Sequence, residues 1–370
     1  MDLLKSLWWA ITNTKALENS SGEMETEFFG TVYRITYITG LSNSDHGFFY
    51  KLYSTVVKLM IATCVISEWW YMFAFGSSLD IVIEQMNFIV INTMALFRYG
   101  YMRMHEPVYK KLAALCSTLD TTTPARNALR RYWMEKNDTY LKLVLGLGSM
   151  NLAVWYVYPL VDGIDYNLSV GMWIGVDFNT PLRYPIAYTI HIVAFHCTAF
   201  FVLANDVIIQ AHLLHLVCQY SVLADCFENI LVDCEKYFKG LNRDQLVRDS
   251  RFREVYISRL GLLVEQHQNI LMHTMELRKT ISLPMLGQVM ASGLQICFAG
   301  YQVALTLTAS YTKFYMILQF LVYNLFALFI VCRWCDEIKI QSENISNAVY
   351  CSGWECGVGT MAGVRSSLML

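Results

Sequence analysis

The chain has 370 residues, of which 55% are hydrophobic and only 16% are charged. Its mean hydropathy is positive, which is typical of a membrane protein and disfavours an ordinary soluble domain. The formal net charge of -2 at pH 7 gives no reason to expect a nucleic-acid partner. We expect no cleaved signal peptide, because the short apolar stretch at residues 3–11 is interrupted by Lys5 and has no small-residue cleavage site after it.

Six stretches of the chain are long and apolar enough to cross a bilayer as helices. A helix needs roughly 20 apolar residues to cross a hydrocarbon core of about 30 Å, where lipid offers the backbone no hydrogen-bond partners. The stretches are Tyr53–Phe75, Ile81–Gly100, Leu141–Leu160, Ile186–Leu216, Leu283–Thr308 and Phe314–Trp334. Their charged residues lie away from the midpoints, where a charge costs about 2.5 to 3.5 kcal/mol. The sequence therefore predicts an all-α, multi-pass transmembrane bundle of six spans.

The distribution of Lys and Arg predicts how the spans are oriented, because cytosolic loops carry an excess of basic residues. Residues 101–140 and 217–282 are rich in Lys and Arg, whereas the alternate connections 76–80, 161–185 and 309–313 have almost none. We expect the two basic segments to be cytosolic, on the same side as the N terminus. The predicted division is a cytosolic N-terminal region (1–52), spans 1–4 (53–216), a cytosolic amphipathic helical insert (217–282), spans 5–6 (283–334) and a cytosolic tail (335–370).

The insert at residues 217–282 is predicted to be helical rather than a loose linker. Apolar residues recur at helical spacing in Leu223, Phe227, Ile230 and Leu231. Spans 4 and 5 would therefore continue as amphipathic helices beyond the membrane. Their apolar faces would pack either on a partner or on other segments of this chain, and the spacing favours neither.

One outward connection contains the sequon Asn167-Leu168-Ser169, which makes Asn167 a glycosylation candidate. A tripeptide of this kind also arises by chance, and the sequence alone leaves both interpretations open.

The sequence contains no convincing catalytic or metal-binding constellation. His191 and His196 would lie on different faces of one helix, without a carboxylate at ligand spacing. Cys332 and Cys335 have the spacing of half a zinc or redox site, but no second pair accompanies them, so packing at a helix end is favoured. Phosphate-binding glycine loops, nucleophile elbows and paired carboxylates within the spans are missing from the sequence as well. We therefore expect neither an enzyme nor a metal or other cofactor.

Two segments resemble the insect odorant receptor family. The first is Leu262–Leu271, with the sequence LLVEQHQNIL, which resembles the family's pattern before the fifth span with its His-Gln pair. The second begins at Cys335, continues through Ser342–Tyr350 (SENISNAVY) and ends at Trp354; it is similar to the family's signature after the sixth span. The inverted topology and the large basic segment between spans 4 and 5 fit as well, so the resemblance covers about residues 53–354.

The resemblance implies an odorant receptor in the plasma membrane that takes part in olfaction and sensory transduction. Such a receptor binds a small volatile odorant and, in a hetero-oligomer with the family's co-receptor, expected to be a tetramer, gates a cation channel. Subunit-interface candidates come from the matching segments: His267, Gln268, Ile270, Leu271, Glu276, Tyr350 and Trp354. A gustatory-type chemoreceptor and a membrane transporter remain alternative interpretations.

One departure from the family pattern concerns the C-terminal segment. In the family, a basic helix and a seventh span follow the tryptophan that corresponds to Trp354. Residues 355–370 contain three glycines and are too short to span a bilayer. We therefore expect this chain to lack the seventh span, either as a truncated receptor or as the product of an alternative or mispredicted transcript.

A pocket for a small volatile ligand should be apolar, carry a few polar groups and open outward. The predicted span directions give the residues of the outer half of the bundle. The ligand-binding candidates are Gln85, Phe88, Trp155, Tyr158, Tyr188, His191, Phe195, Phe298, Tyr301, Tyr311 and Tyr315. For each of them, ordinary core or interfacial packing is the alternative interpretation.

Overall fold

A computed structural model of the protein describes residues 26–42, 47–114, 123–162, 164, 166–173, 180–238, 243–306 and 310–353. Within these ranges the regular elements are all helices. They are α1 (Thr26–Ile38), α2 (Phe48–Phe75), α3 (Leu79–Met104), α4 (Glu106–Ala114), α5 (Pro124–Val161), α6 (Tyr184–Glu228), α7 (Ile230–Glu235), α8 (Arg243–Arg248), α9 (Ser250–Thr306) and α10 (Tyr311–Tyr350).

Six of these helices, α2, α3, α5, α6, α9 and α10, are long and apolar enough to cross a membrane. Each includes all or nearly all of one predicted span, so the prediction of an all-α, multi-pass transmembrane bundle is confirmed. Many large apolar side chains on α2 are exposed, among them Leu59, Ile66 and Phe73. Exposed apolar side chains on spanning helices are expected, because they face lipid chains rather than water.

Several helices are longer than a bilayer requires. Helix α9 has 57 residues, which at 1.5 Å per residue is about 85 Å. Its N-terminal half is helical because apolar residues recur there at spacings of three and four, and Phe252, Tyr256, Leu260 and Leu263 are all buried. The helix therefore continues well into the segment that precedes the predicted fifth span.

The connection between α2 and α3 is very short because local residues end one helix and begin the next. Gly76 donates its backbone N–H to the carbonyl of Met72, and an added Cβ would lie only 2.4 Å from that oxygen. Ser78 then caps α3, where its side chain accepts a hydrogen bond from the backbone N–H of Ile81 at 3.4 Å. The two helices are consequently joined by only Gly76, Ser77 and Ser78.

The chain divides into two compact units. The first unit comprises Met1–Pro107, Asp138–Gln210 and Thr280–Val331, and the second comprises Val108–Asn137, Ala211–Lys279 and Cys332–Leu370. Most of the apolar spans lie in the first unit, whereas the second contains most of the segments with basic residues.

Some charged and polar side chains buried within the first unit are paired with one another. Arg98 on α3 and Asp206 on α6 form an ion pair at 2.7 Å. Glu68 on α2 accepts two hydrogen bonds from Asn92, at 2.8 and 3.0 Å. Such pairing is required because an unpaired charge or polar group inside a bilayer is costly.

The second unit contains a buried arginine held by two carboxylates. Arg126 on α5 is 1% exposed and forms ion pairs with Asp225, at 2.9 Å, and with Asp233. Lys236 also contacts Asp233, at 2.8 Å. Burial raises the pKa of Asp233, but hydrogen bonds from Lys236 and Arg126 outweigh this effect and leave the pKa below its ordinary value. The arginine thus ties the start of α5 to α6 and α7.

Candidate functional site

Four helices of the first unit surround a cavity of about 70 Å³. We call it the central cavity. Its lining residues recur at spacings of three and four along α3, α5, α6 and α10, so each helix presents one face to it. The lining consists of Phe88, Ile91, Asn92, Gly148, Asn151, Leu152, Trp155, Phe195, Thr198, Ala199, Val202, Leu203, Phe320 and Tyr323.

Four aromatic side chains form one wall of the central cavity. The rings of Phe88 and Trp155 meet edge to face with their centroids 4.8 Å apart. Phe320 lies 6.0 Å from both Phe88 and Trp155, and Phe195 lies 6.0 Å from Phe88. Aromatic pairs at these distances are attractive beyond their buried area. They belong to a larger buried apolar cluster that also includes Tyr158, Val170 and Met316.

The cavity also contains polar groups, and they fall into two classes. Asn92 and Thr198 are already paired, since Asn92 donates to Glu68 and Thr198 donates to the carbonyl of Ala194 at 2.9 Å. Asn151 Oδ1, Trp155 Nε1 and the Tyr323 hydroxyl are buried and have no hydrogen-bond partner in the described part of the chain. The three atoms of the second class are enclosed by the packed helices.

Gly148 sets the width of the cavity on the α5 side. A Cβ added at this position would lie 2.7 Å from Leu203 Cδ2 and 3.0 Å from Leu203 Cδ1. The absence of a side chain at Gly148 therefore allows Leu203 to approach α5 and leaves the adjoining space open.

Residues 166–173, which follow α5, are attached to the helices around the aromatic cluster. The Gln85 side chain forms two hydrogen bonds with the backbone of Gly171, its nitrogen donating at 3.1 Å and its oxygen accepting at 2.9 Å. Ser169 donates to the carbonyl of Trp155 at 2.7 Å, and Ser67 donates to the carbonyl of Trp173 at 2.8 Å. This segment, which we call the capping segment, is thereby fixed against α2, α3 and α5.

The structure places the ligand-binding candidates in three different environments. Phe88, Trp155 and Phe195 line the central cavity, and Tyr158 packs in the same aromatic cluster. Gln85 holds the capping segment, His191 is buried and stacks on Phe195, and Tyr188 donates to the carbonyl of Tyr156. Phe298 is half-buried, whereas Tyr301, Tyr311 and Tyr315 are exposed and lie outside the cavity lining.

Several lining residues were not among the ligand-binding candidates predicted from the sequence. Asn151 and Tyr323 carry unpartnered polar atoms, and Ile91, Leu203 and Phe320 complete the apolar wall. Helical spacing could have found part of this set, because these residues lie three or four positions from Phe88, Trp155 or one another, or continue the same face.

Asn167 lies in the capping segment, where its side-chain amide donates to Asp162. Ser169 of the same sequon is buried. The amide that would carry a glycan is therefore already hydrogen-bonded, and glycosylation of Asn167 remains a prediction.

The subunit-interface candidates belong to the second unit, where their exposure differs. Gln268, Leu271 and Tyr350 are exposed, His267 and Glu276 are half-buried, and Ile270 is buried within its own chain. Glu276 forms an ion pair with Lys111, with 3.3 Å between Oε1 and Nζ. Trp354 lies outside the described residues.

The residues weighed for metal or redox chemistry are dispersed. His191 is buried without a hydrogen-bond partner among the described residues, while the His196 ring lies 3.0 Å from the Tyr156 hydroxyl. Cys332 and Cys335 are exposed free thiols. Across the described ranges, no group of three or more His, Cys, Asp or Glu residues could hold a metal ion.

Taken together, the helices and the central cavity define a multi-pass α-helical membrane protein with an aromatic-walled cavity among its spans. A family model described as 7tm Odorant receptor matches residues 78–357, which is well over half of the chain. The protein belongs to this odorant receptor family.

Two relatives from Drosophila melanogaster are similar in sequence. Odorant receptor 67a is 22% identical over 297 residues, which cover 74% of this chain and 67% of that protein. Odorant receptor 94a is 22% identical over 223 residues, which cover 59% of this chain and 51% of that protein.

The fold is similar to that of the insect olfactory receptor OR5 from Machilis hrabei. The TM-score is 0.73 at 17% identity, and the match covers 92% of this chain and 86% of that one. The structure of OR5 in complex with eugenol gives a TM-score of 0.74 with the same identity and coverage. At this identity the comparison establishes the fold.

Proposed function

We propose that the protein is an odorant receptor that binds a small volatile molecule in the central cavity and, together with a co-receptor, gates a cation channel. The observation that carries the proposal is the cavity itself, which combines the aromatic wall of Phe88, Trp155, Phe195 and Phe320 with a few polar side chains in its lining. An apolar pocket with a few polar groups is the usual form of a site for a small organic ligand.

Family membership supports the same assignment. The matched region, residues 78–357, includes all four helices that line the central cavity. A related fold, that of Machilis hrabei OR5, has been determined in complex with eugenol, which is a small aromatic molecule. The cavity of this chain is small, so its ligand should be a compact molecule.

We further propose that the protein resides in the plasma membrane with its N terminus in the cytosol. This orientation rests on the basic residues concentrated in segments 101–140 and 217–282 and nearly missing from the alternate connections. The capping segment, residues 166–173, would then face the outside, and the basic segments 101–140 and 217–282 would face the cytosol. Protease or antibody access to epitopes placed at residues 166–173 and 239–242 in intact cells tests this, since only the first should be accessible.

Subunit contacts are proposed for the exposed candidates of the second unit. Gln268, Leu271 and Tyr350 leave apolar or polar surface uncovered within this chain, and Leu271 is 39% exposed. The change Leu271→Glu should reduce co-purification with the co-receptor, because a buried unpaired charge destabilises an interface. The change Lys339→Glu offers a control at an exposed position on α10. Equal co-purification of wild type and Leu271→Glu would contradict the assignment.

Gating requires that the ligand bind the open state more tightly than the closed state, not merely that it bind. The experiment is to express the chain with an insect odorant receptor co-receptor and to record currents evoked by a panel of small volatiles. Cells that express the co-receptor alone are the control. Ligand-evoked cation current that requires this chain supports the proposal. A complete lack of response, together with a lack of ligand binding by the purified protein, would contradict it.

A further inference from the structure

Two exposed cysteines, Cys332 and Cys335, lie about one helical turn apart on α10. The sequence favoured packing at a helix end for this pair, and the structure differs. Trp334, which lies between them in the sequence, is 1% exposed, whereas both cysteine side chains are exposed and neither forms a disulfide. Packing of α10 on its neighbours is therefore provided by the tryptophan, and the two thiols are left at the surface of the described part of the chain.

The two thiols lie at the end of the predicted sixth span, which runs from Phe314 to Trp334. At 1.5 Å per residue, Cys332 is about 27 Å and Cys335 about 32 Å from Phe314 along α10. The hydrocarbon core of a bilayer is about 30 Å thick. The thiols are therefore at the level where hydrocarbon gives way to headgroups, on the cytosolic side in the proposed orientation.

One face of α10 marks the same level independently of the length of the span. Exposed side chains recur along this face at spacings of three and four. Its first members are apolar, namely Val322, Leu325 and Phe329. Its last members are charged, namely Asp336, Lys339 and Glu343. Cys332 lies where the face changes from apolar to charged, as expected of a residue at the surface of a bilayer.

We propose that Cys332 and Cys335 are S-acylated by long-chain fatty acids. Cysteines beside the membrane end of a spanning helix are typical acceptors of this reversible modification. The acyl donor is a long-chain acyl-coenzyme A, brought to the headgroup level by a membrane acyltransferase. The cysteine sulfur attacks the acyl carbonyl carbon and forms a new thioester, while the bond between that carbon and the donor sulfur breaks. The proton of the cysteine thiol passes to coenzyme A, which leaves as a free thiol.

An acyl chain on Cys332 can enter the bilayer along the apolar part of the exposed face. Phe329 and Leu325 lie about 4.5 Å and 10.5 Å further into the span along α10. Each methylene group of the chain that enters hydrocarbon adds to its affinity for the membrane. The modification would hold the point at which α10 leaves the bilayer at the inner leaflet. It goes beyond the proposed receptor function and rests only on the proposed orientation.

The two thiols can be assigned separately because Arg333 lies between them. Trypsin, which cleaves after Lys and Arg, places Cys332 in the peptide 314–333 and Cys335 in the peptide 334–339. The full chain is expressed in insect cells fed with an alkyne-bearing palmitate analogue, purified and digested. Mass spectrometry before and after hydroxylamine, which cleaves thioesters and leaves amides intact, identifies the acylated peptides. We expect a hydroxylamine-sensitive acyl group on both peptides.

Serine variants locate the modification without altering the size of the side chains. Cys332→Ser combined with Cys335→Ser should lose the hydroxylamine-sensitive label. Cys297→Ser and Cys351→Ser are matched controls, since these two thiols are also exposed. Cys297 lies about 21 Å along the predicted fifth span from its inner end, and Cys351 lies about 25 Å beyond the inner end of the sixth. Neither is at the headgroup level, so both controls should keep the label.

A wild-type protein with a thioester on neither peptide would overturn the inference, and this is the result expected if another protein segment covers this face of α10. A double variant labelled as strongly as wild type would overturn it as well. So would loss of the label in Cys297→Ser or Cys351→Ser, because acylation would then occur at another depth. Ligand-evoked current from a protein without a thioester would overturn the inference and leave the receptor function standing. A thioester on both peptides of a protein that evokes no current would support the inference and count against gating.

Discussion

Filling the central cavity at Gly148 should weaken ligand binding without preventing folding. In Gly148→Ala the new Cβ would lie 2.7 Å from Leu203 Cδ2, which is closer than real contacts allow, so Leu203 must move. The clash involves the flexible end of a side chain rather than backbone, so the cost of adjustment is limited. The added methyl and the displaced Leu203 both reduce the space for ligand. A mismatch of one methylene in a pocket changes binding by about 1–3 kcal/mol, or about 10- to 200-fold.

The matched control is Gly146→Ala on the same helix. Gly146 is exposed, and a Cβ added there meets no atom within 4 Å. Both changes improve helix propensity by up to about 1 kcal/mol. The difference between the ligand affinities of the two variants therefore reports the change in the cavity alone. The assay is ligand-induced thermal stabilisation of purified protein, supported by dose–response currents. An unchanged affinity in Gly148→Ala, or an equal loss in Gly146→Ala, would refute the placement of the ligand in this cavity.

Three further predictions concern the framework around the cavity and the second unit. Gly171→Ala should lower the thermal midpoint by an amount equivalent to about 1–3 kcal/mol, because its Cβ would lie 2.2 Å from the amide end of the Gln85 side chain and 2.3 Å from Tyr71 Cε1. A midpoint equal to that of wild type would show that the capping segment is not fixed as described. Arg126→Ala should lower the free energy of unfolding by about 3–5 kcal/mol, since it leaves the carboxylates of Asp225 and Asp233 without their buried partner. Normal thermal stability and surface expression would contradict this. Because the pKa of Asp233 is lowered in the folded state, its stabilising contribution is present above the unfolded value of about 3.9 and is lost as the pH falls through the folded value. Asp233→Asn should therefore flatten the loss of stability measured below about pH 4, and an identical acid profile would refute the assignment.

The spans could be predicted from the sequence because the bilayer itself fixes their length and composition. An apolar stretch of about 20 residues has few other stable arrangements. The helical extension before the fifth span was also predicted, because apolar residues recur at helical spacing in residues 217–282. Helix α9 accordingly starts at Ser250, well before the predicted span at Leu283.

The sequence indicated at which level of the spans ligand-binding residues should lie, but it did not indicate which face of each helix points toward the centre. Phe88, Trp155 and Phe195 were selected because they lie in the outer half of their spans, and they line the cavity because they also face the centre. Tyr311 and Tyr315 satisfy the same criterion of depth and are exposed. Which face of a helix points inward depends on its neighbours, and hydropathy carries little of that information when both lipid and core are apolar.

Buried polar pairs show the same dependence on tertiary structure. Considered alone, Arg98 and Asp206 are each a single charged residue away from the midpoint of a span. Their ion pair at 2.7 Å requires that α3 and α6 be neighbours. No local spacing relates the two residues, so the pair becomes evident only when the helices are assembled.

The most direct test of the account is a cryo-electron microscopy structure of the protein bound to a small volatile that evokes current through it. We expect ligand density in the central cavity, in contact with the aromatic wall of Phe88, Trp155, Phe195 and Phe320. Ligand density at another place on the protein, with the central cavity empty, would contradict the account.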